Sequence, residues 1–256
     1  MPRSSPTGTT PHPPLTKYYD SERDRQPFVT ALFDGAAKHY DCVTDLLSLG
    51  SGRFYRRWVL RESGLKRGMT LLDVATGTGL IARSAVQILG SSRGVVGIDA
   101  SAGMLAEARK AIDVRLVQGQ AEALPFRDDR FDFLAMSYAL RHVADLGATF
   151  AQCHRVLKPG GRFLLLEISR PRSTVIRGVL RIHLELLTPL IAYVTGRGAR
   201  VGMLTHYYWD TIAACVPPET ILEVLRASGF ADVQRRARGG LLSEYLAVKP
   251  HEDRVP

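Results

Sequence analysis

Asp73, Gly77, Gly79 and Asp99 are the residues of this chain whose types and spacing point to chemistry. Leu71-Leu-Asp-Val-Ala-Thr-Gly-Thr-Gly-Leu80 runs an apolar stretch into a glycine turn, and Val95-Val-Gly-Ile-Asp99 ends a second apolar stretch on a carboxylate. Glycine lets backbone approach a ligand where a Cβ would block it. A helix opening after the turn offers N–H groups without intrahelical partners, and an acid about 20 residues on can grip a ribose diol. Together they predict half of a site for an adenosine-containing cofactor. Gly77-Thr-Gly79-Leu-Ile-Ala82 formally matches G-x-G-x-x-A, which makes a nicotinamide dehydrogenase the first rival. Asp73 argues against it. It lies inside the first strand, where a carboxylate can order the glycine loop or take up a cationic amine.

The elements that must position these residues follow from the hydrophobic pattern. Leu71–Val74, Val95–Ile98, Val114–Val117, Phe131–Ser137 and Phe163–Leu166 read as strands. Leu80–Leu89, a stretch after a Ser101 N-cap, and Ala148–Leu157 read as helices. Lys158-Pro-Gly-Gly161 reads as a tight turn. Such alternation predicts a doubly wound, mostly parallel sheet, seven-stranded in the family named below. The tail differs: a helix at Pro218–Ser228 precedes Val233–Arg236 and Leu241–Val248, which predict an antiparallel C-terminal edge.

The expected plan is a leader over 1–16 and a single domain over 17–256. Residues 17–68 form a helical cap, where Phe28, Ala31, Leu32 and Ala36 fall at helical spacing, and residues 173–212 form a helical lid. The leader is Pro/Ser/Thr-rich and reads as disordered, without the apolar core of a signal peptide. In the insertion Ile176, Val179, Leu180, Leu184, Leu187, Ile191 and Val194 share one helical stripe, with Arg177 and Arg181 off it. Such a stripe packs on a core or forms an apolar lid resting on a membrane surface. The three cysteines, Cys42, Cys153 and Cys215, lack metal-ligand spacing, so no metal is expected, and they suit a reducing cytoplasm. A net charge of +9 admits nucleic acid, an anionic membrane surface or an acidic substrate, or only a soluble arginine-rich chain.

Asp-x-x-x-Gly-x-Gly, the acid after the second strand, Ala121-Glu-Ala-Leu-Pro-Phe126 and Lys158-Pro-Gly-Gly161 together resemble class I S-adenosylmethionine-dependent methyltransferases, with their Rossmann-like fold. The resemblance implies S-adenosyl-L-methionine as cofactor. It gives Gly77, Thr78 and Gly79 the methionine part, Asp99 the ribose, and Gln120 with Ala121 the adenine, while Ser137 approaches the methionyl end.

A narrower likeness lies in Phe33-Asp-Gly-Ala-Ala-Lys-His-Tyr-Asp41, Asp45-Leu-Leu-Ser48, Ser137-Tyr-Ala-Leu-Arg-His-Val143, Arg155-Val-Leu-Lys-Pro-Gly-Gly-Arg162 and Tyr207-Tyr-Trp-Asp-Thr-Ile212. These resemble the UbiE-type ubiquinone/menaquinone C-methyltransferases, which methylate a ring carbon of a prenylated quinol precursor. The sulfonium is already a good leaving group, so the enzyme must supply alignment and an activated carbon. Arg141 is the candidate for polarising the phenolic oxygen, and His142 for moving the ring proton. Tyr40, Tyr138 and Tyr207 are candidates for shaping the acceptor mouth. The chain departs from that family where His142 replaces the usual Asn and where the loop reads Ala-Thr before Gly77. For His142 the alternative is a hydrogen-bonded core residue, and for Tyr207 packing alone.

The expected activity is therefore methyl transfer to a lipophilic aromatic small molecule, in the cytoplasm or peripherally at the inner membrane surface. Self-association as a homodimer stays open. Nucleic acid is not an expected partner: the chain has Ser137-Tyr-Ala-Leu where base methylation calls for an Asn/Asp-Pro-Pro-aromatic loop. The rivals are methylation of another phenolic or lipophilic metabolite, and a non-catalytic cofactor-binding assembly partner.

Overall fold

Leu71 and Leu72 are both fully buried, and the same holds along the neighbouring strands. A strand apolar on both faces needs cover on both faces, which is the condition for a parallel sheet between helical layers. The computed structural model, which describes residues 8–48, 50–194 and 199–251, shows that arrangement. Strands β1 (Leu71–Val74), β2 (Val95–Asp99), β3 (Arg115–Gln118), β4 (Phe131–Ser137), β5 (Leu157–Ile168), β6 (Ala231–Arg238) and β7 (Leu242–Val248) form one sheet in the order β3-β2-β1-β4-β5-β7-β6. The first five strands run parallel, and β7 is antiparallel to both β5 and β6.

Helices α2 (Gly52–Glu62) and α3 (Leu80–Leu89) cover one face, where Leu60, Ile81 and Ile88 meet Leu71, Phe133 and Leu164. Helices α5 (Leu146–Val156) and α9 (Pro218–Ala227) cover the other, where Phe150, Cys153 and Leu225 meet Leu134, Phe163 and Leu165. Helix α4 (Ala102–Ala111) is capped as its sequence predicts, the Ser101 hydroxyl accepting from Met104 N at 3.0 Å. The hairpin between β6 and β7 turns on Gly239 and Gly240, at φ 57° and 70°, a pair suited to the tight turns that match strand twist.

Helix α1 (Glu22–Leu47) lies with α2 ahead of the sheet strands. The expected lid region holds α6 (Thr174–Ile182), a π-helical turn (His183–Leu187), α7 (Thr188–Val194) and α8 (Ala199–Ala214). Leu180 and Leu184 turn inward onto Tyr207, Tyr208 and Ile212 of α8 and onto Val29 and Leu32 of α1.

Two expectations differ from the structure. Lys158-Pro-Gly-Gly161 is not a free turn. β5 begins at Leu157, and pairing jumps from Phe131↔Leu157 to Phe133↔Arg162, so the four residues bulge within the strand while Lys158 Nζ donates to Asp132 Oδ1 at 2.8 Å. The leader is not disordered over residues 8–16: Thr9 O accepts from Leu146 N at 2.9 Å and Pro11 O from Val216 N at 2.8 Å. Long-range backbone partners override its composition; Met1–Thr7 lie outside the described residues.

Candidate active site

Strand order reverses between β1 and β4, and at their carboxyl ends lies a cavity enclosing about 740 Å³ of empty space including its open mouth. Ala75 and Gly77 after β1, Asp99 closing β2, and Ser137 and Tyr138 closing β4 line it. Ala75 and Tyr138 hold φ of 54° and 58°, the left-handed region that costs a non-glycine residue about 1–3 kcal/mol. Both strands at the switch point thus end on a strained residue that turns the chain along the cavity. Gly77, at φ 57°, would aim a Cβ toward the Tyr40 ring, 4.0 Å away, across space a ligand would fill.

Asp99 is held by two backbone donors, Gly77 N to Oδ2 at 2.7 Å and Ser101 N to Oδ1 at 2.9 Å. Burial raises its carboxyl above the usual range, against the pull of those N–H groups. Asp73 does not line the cavity. Its Oδ2 accepts from Thr76 Oγ1 at 2.6 Å and Ala82 N at 3.1 Å, pinning both sides of the glycine loop, while Oδ1 has no partner among the described residues. Burial pushes Asp73 up to about 7, helped by the nearby Asp99 charge.

Helix α1 crosses the cofactor half and contributes two carboxylates seven residues apart, hence on one face. Asp34 accepts from the Ser101 hydroxyl and from Gly103 N at 2.8 Å, and Asp41 accepts from the Thr78 hydroxyl and from Arg83 at 2.6 Å. Neither was singled out as a site residue in the sequence. Their heptad offset beside Phe33 and Tyr40 is the signal that could have found them.

At the other end the cavity is aromatic. His142 closes a 3-10 turn, Leu140–His142, and stacks on Tyr207 and Tyr208 at centroid distances of 5.5 and 6.0 Å, with the Phe33 edge at 5.0 Å. Both its ring nitrogens lack partners among the described residues. Burial, then the Arg141 charge, holds its pKa well below 6.5, so the ring is neutral.

Comparison with known proteins decides the class. The model of the ubiE/COQ5 methyltransferase family matches residues 19–249. The chain belongs to that family. It is 30% identical over 214 residues to a "Ubiquinone/menaquinone biosynthesis C-methyltransferase UbiE" of Hahella chejuensis, covering 81% of this chain and 85% of that one. It is 34% identical over 222 residues to a "Demethylmenaquinone methyltransferase" of Symbiobacterium thermophilum, covering 83% and 88%. A solved SAM-dependent methyltransferase of Aquifex aeolicus shares the fold, with a TM-score of 0.58 at 18% identity over 81% of this chain and 98% of that one.

This ubiE/COQ5-family chain is an S-adenosylmethionine-dependent methyltransferase, and its residues fit the cofactor. Gly77 leaves room along the cavity wall, Asp99 presents a carboxylate at the end of β2, and Gln120 with Ala121 lines the side beyond Gly119. The structure brings Gly77, Asp99, Gln120, Ala121, Ser137, Tyr40, Tyr138 and His142 to one cavity. Thr78, Gly79 and Asp73 stand behind it, ordering the loop.

Arg141 requires a correction. It does not line the cavity, because its side chain turns into the core: Nε donates to Glu167 Oε1 at 2.9 Å and Nη1 to Thr211 Oγ1 at 2.7 Å. Its charge is spent on a carboxylate of β5, so no polarisation of a phenol is assigned to it. Tyr207 also lies off the cavity, packed against Tyr18 and Phe28 beneath His142.

Proposed function

We propose that the acceptor is the ring of a prenylated hydroquinone, methylated at carbon. The observation that carries this reading is a neutral, unpartnered imidazole, His142, at the aromatic end of the same cavity that presents Asp99 and Gly77. The names of the relatives, ubiquinone/menaquinone biosynthesis C-methyltransferase and demethylmenaquinone methyltransferase, supply the ring class.

When bound, S-adenosylmethionine supplies a methyl group on a sulfonium, which leaves as a neutral thioether. The chain's part is to align and to move a proton. Phe33, Tyr40 and Tyr138 offer faces between which a flat ring can be held in line with that methyl. Once the methyl carbon had exchanged its bond to sulfur for one to the ring carbon, the hydrogen already on that ring carbon would be acidic. His142 takes it, restoring aromaticity, and passes it to solvent. A depressed pKa is no obstacle, because such a proton needs only a weak base, and it hastens release.

The prenyl tail gives the outer face of the lid its role. Val175, Val179, Ile182, Leu186, Leu190 and Tyr193 are each more than half exposed, while Leu180 and Leu184 of the same segment pack beside the cavity aromatics. Ile176 lies over Gly240, and Arg238 beside that turn covers Trp58 at 4.9 Å, so the apolar face continues to a tryptophan with an arginine on it. Arg177 and Arg181 flank the lid. An apolar face rimmed by arginine and tryptophan suits an anionic bilayer surface, where the acceptor would be met. No helix among the described residues is long and apolar enough to cross a membrane.

The test is kcat/KM for a demethylated hydroquinone with a short prenyl chain, against the same ring without the chain and against a simple catechol. The reading requires the prenylated ring to be preferred at least about tenfold, as burial of several methylenes would give. Equal or better use of the catechol would favour another phenolic metabolite.

A further inference from the structure

His12 is 1% exposed, yet it sits in a Pro/Ser/Thr-rich stretch ahead of the family-matched segment that begins at residue 19. Residues 8–16 contain no helix or strand. They are fixed from outside: Gly8 N donates to Asp145 Oδ2, Thr9 O accepts from Leu146 N, and Pro11 O accepts from Val216 N. The segment therefore ties the start of α5, just beyond the Leu140–His142 turn, to the connection ahead of α9.

At its centre, His12 Nδ1 lies 2.8 Å from Pro13 O; the tautomer carrying its proton on Nδ1 donates to that carbonyl and leaves Nε2 as an acceptor. Arg25 of α1 supplies the donor. Its Nη2 lies 2.8 Å from His12 Nε2 and 3.1 Å from the Arg141 carbonyl oxygen, and that oxygen is 3.0 Å from Nε2. One guanidinium nitrogen thus holds both the imidazole and the peptide that leads into His142. The next residue of α1, Gln26, donates to the His142 carbonyl at 2.9 Å. Two consecutive carbonyls of the turn are held by side chains of α1, and His12 closes over the first. Burial, with the Arg25 charge, holds His12 below 6.5 and so in the neutral form that can accept.

We infer that residues 8–16 form a clasp, closed by His12, that positions the Arg141–His142 turn so that the His142 ring faces the cavity. His12 and Arg25 are positioning residues for methyl transfer; neither lines the cavity. Apolar side chains would fill the His12 site at less desolvation cost, but they would remove an acceptor from the buried Arg25, whose Nε already lacks one among the described residues. The inference rests on the proposed role of His142, and its first readout needs no acceptor molecule.

The experiment compares His12→Leu, which fills the space without an acceptor, with His12→Gln, whose amide oxygen can receive the Arg25 donor. Both are made in the full chain. Three quantities are read: backbone amide exchange over residues 139–143, affinity for S-adenosylmethionine, and kcat with a short-chain prenylated hydroquinone. The clasp requires the leucine variant to exchange at least about tenfold faster over that turn and to lose at least about tenfold in kcat, since small misplacements of a reacting group are costly. Cofactor affinity should stay within about twofold and the glutamine variant should recover most of both losses, as an acceptor-specific role demands. Equal behaviour of the two variants in exchange would overturn the inference. So would loss of cofactor affinity by the leucine variant, which would make the segment a prop for the whole domain. Should the wild type turn over no hydroquinone, the proposed function fails, while the exchange comparison still decides the clasp.

Discussion

Arg141 Nε lies 2.9 Å from Glu167 Oε1, and neither side chain is more than 2% exposed. The pair joins the turn that carries His142 to β5, and the Thr211 hydroxyl extends it to α8. Breaking such a pair leaves a buried charge alone. Arg141→Ala should therefore lower the unfolding free energy by about 3–5 kcal/mol in urea denaturation. A loss below about 1 kcal/mol, the value of a surface ion pair, would show that the pair does not hold the turn.

Asp99 offers the carboxylate expected to meet the ribose, and it also holds Gly77 N and Ser101 N. Hydrogen bonds to a charged group contribute about 1.5–3 kcal/mol each, so Asp99→Ala should weaken S-adenosylmethionine binding by at least about tenfold in calorimetry. Unchanged affinity would remove Asp99 from the cofactor site.

Asp73 sets a pH dependence whose sign can be worked out. Burial keeps its carboxyl protonated up to about pH 7 in the folded chain, against an ordinary value of 3.8. Between those values the unfolded chain releases a proton that the folded chain keeps, so this contribution to stability falls as pH rises. Asp73→Asn removes the slope. Relative to that variant, the wild type should lose about 1–3 kcal/mol between pH 5 and pH 7.5 in denaturant titrations. A wild type that gains on the variant over that range would contradict the buried, protonated carboxyl.

The lid's outer face should bind anionic vesicles. Val179→Glu with Leu186→Glu removes apolar burial of about 1.5–3 kcal/mol per side chain, so vesicle partitioning should fall by about 100-fold or more. Turnover of a water-soluble hydroquinone should be kept. Partitioning unaffected by the double substitution, or a dimer in sedimentation that the substitution dissociates, would assign the face to something other than lipid.

Much of this was legible in the sequence, for a physical reason. β1, α3 and β4 are bounded where the apolar runs and glycines place them, because local periodicity and turn chemistry decide elements. The place of Asp99 at the cavity was legible because the second apolar run ends on it, beside the glycine turn. Arg141 was not. Its partner Glu167 lies 26 residues away, straight after the apolar run Phe163–Leu166, and only the parallel pairing of β4 with β5 brings that carboxylate under the turn. The leader misled for a similar reason: its composition has almost no large apolar residue, whereas its order comes from backbone bonds to residues 146 and 216. Asp34 and Asp41 fell between, visible as a heptad offset but without a local cue to what they hold.

The most direct test of the central claim is transfer of a ¹³C-labelled methyl from S-adenosylmethionine to a short-chain demethylated prenyl hydroquinone, with the product read by NMR. The account predicts the label on a ring carbon, and its disappearance in His142→Ala with cofactor binding intact. A label found on oxygen as a methyl ether would contradict it.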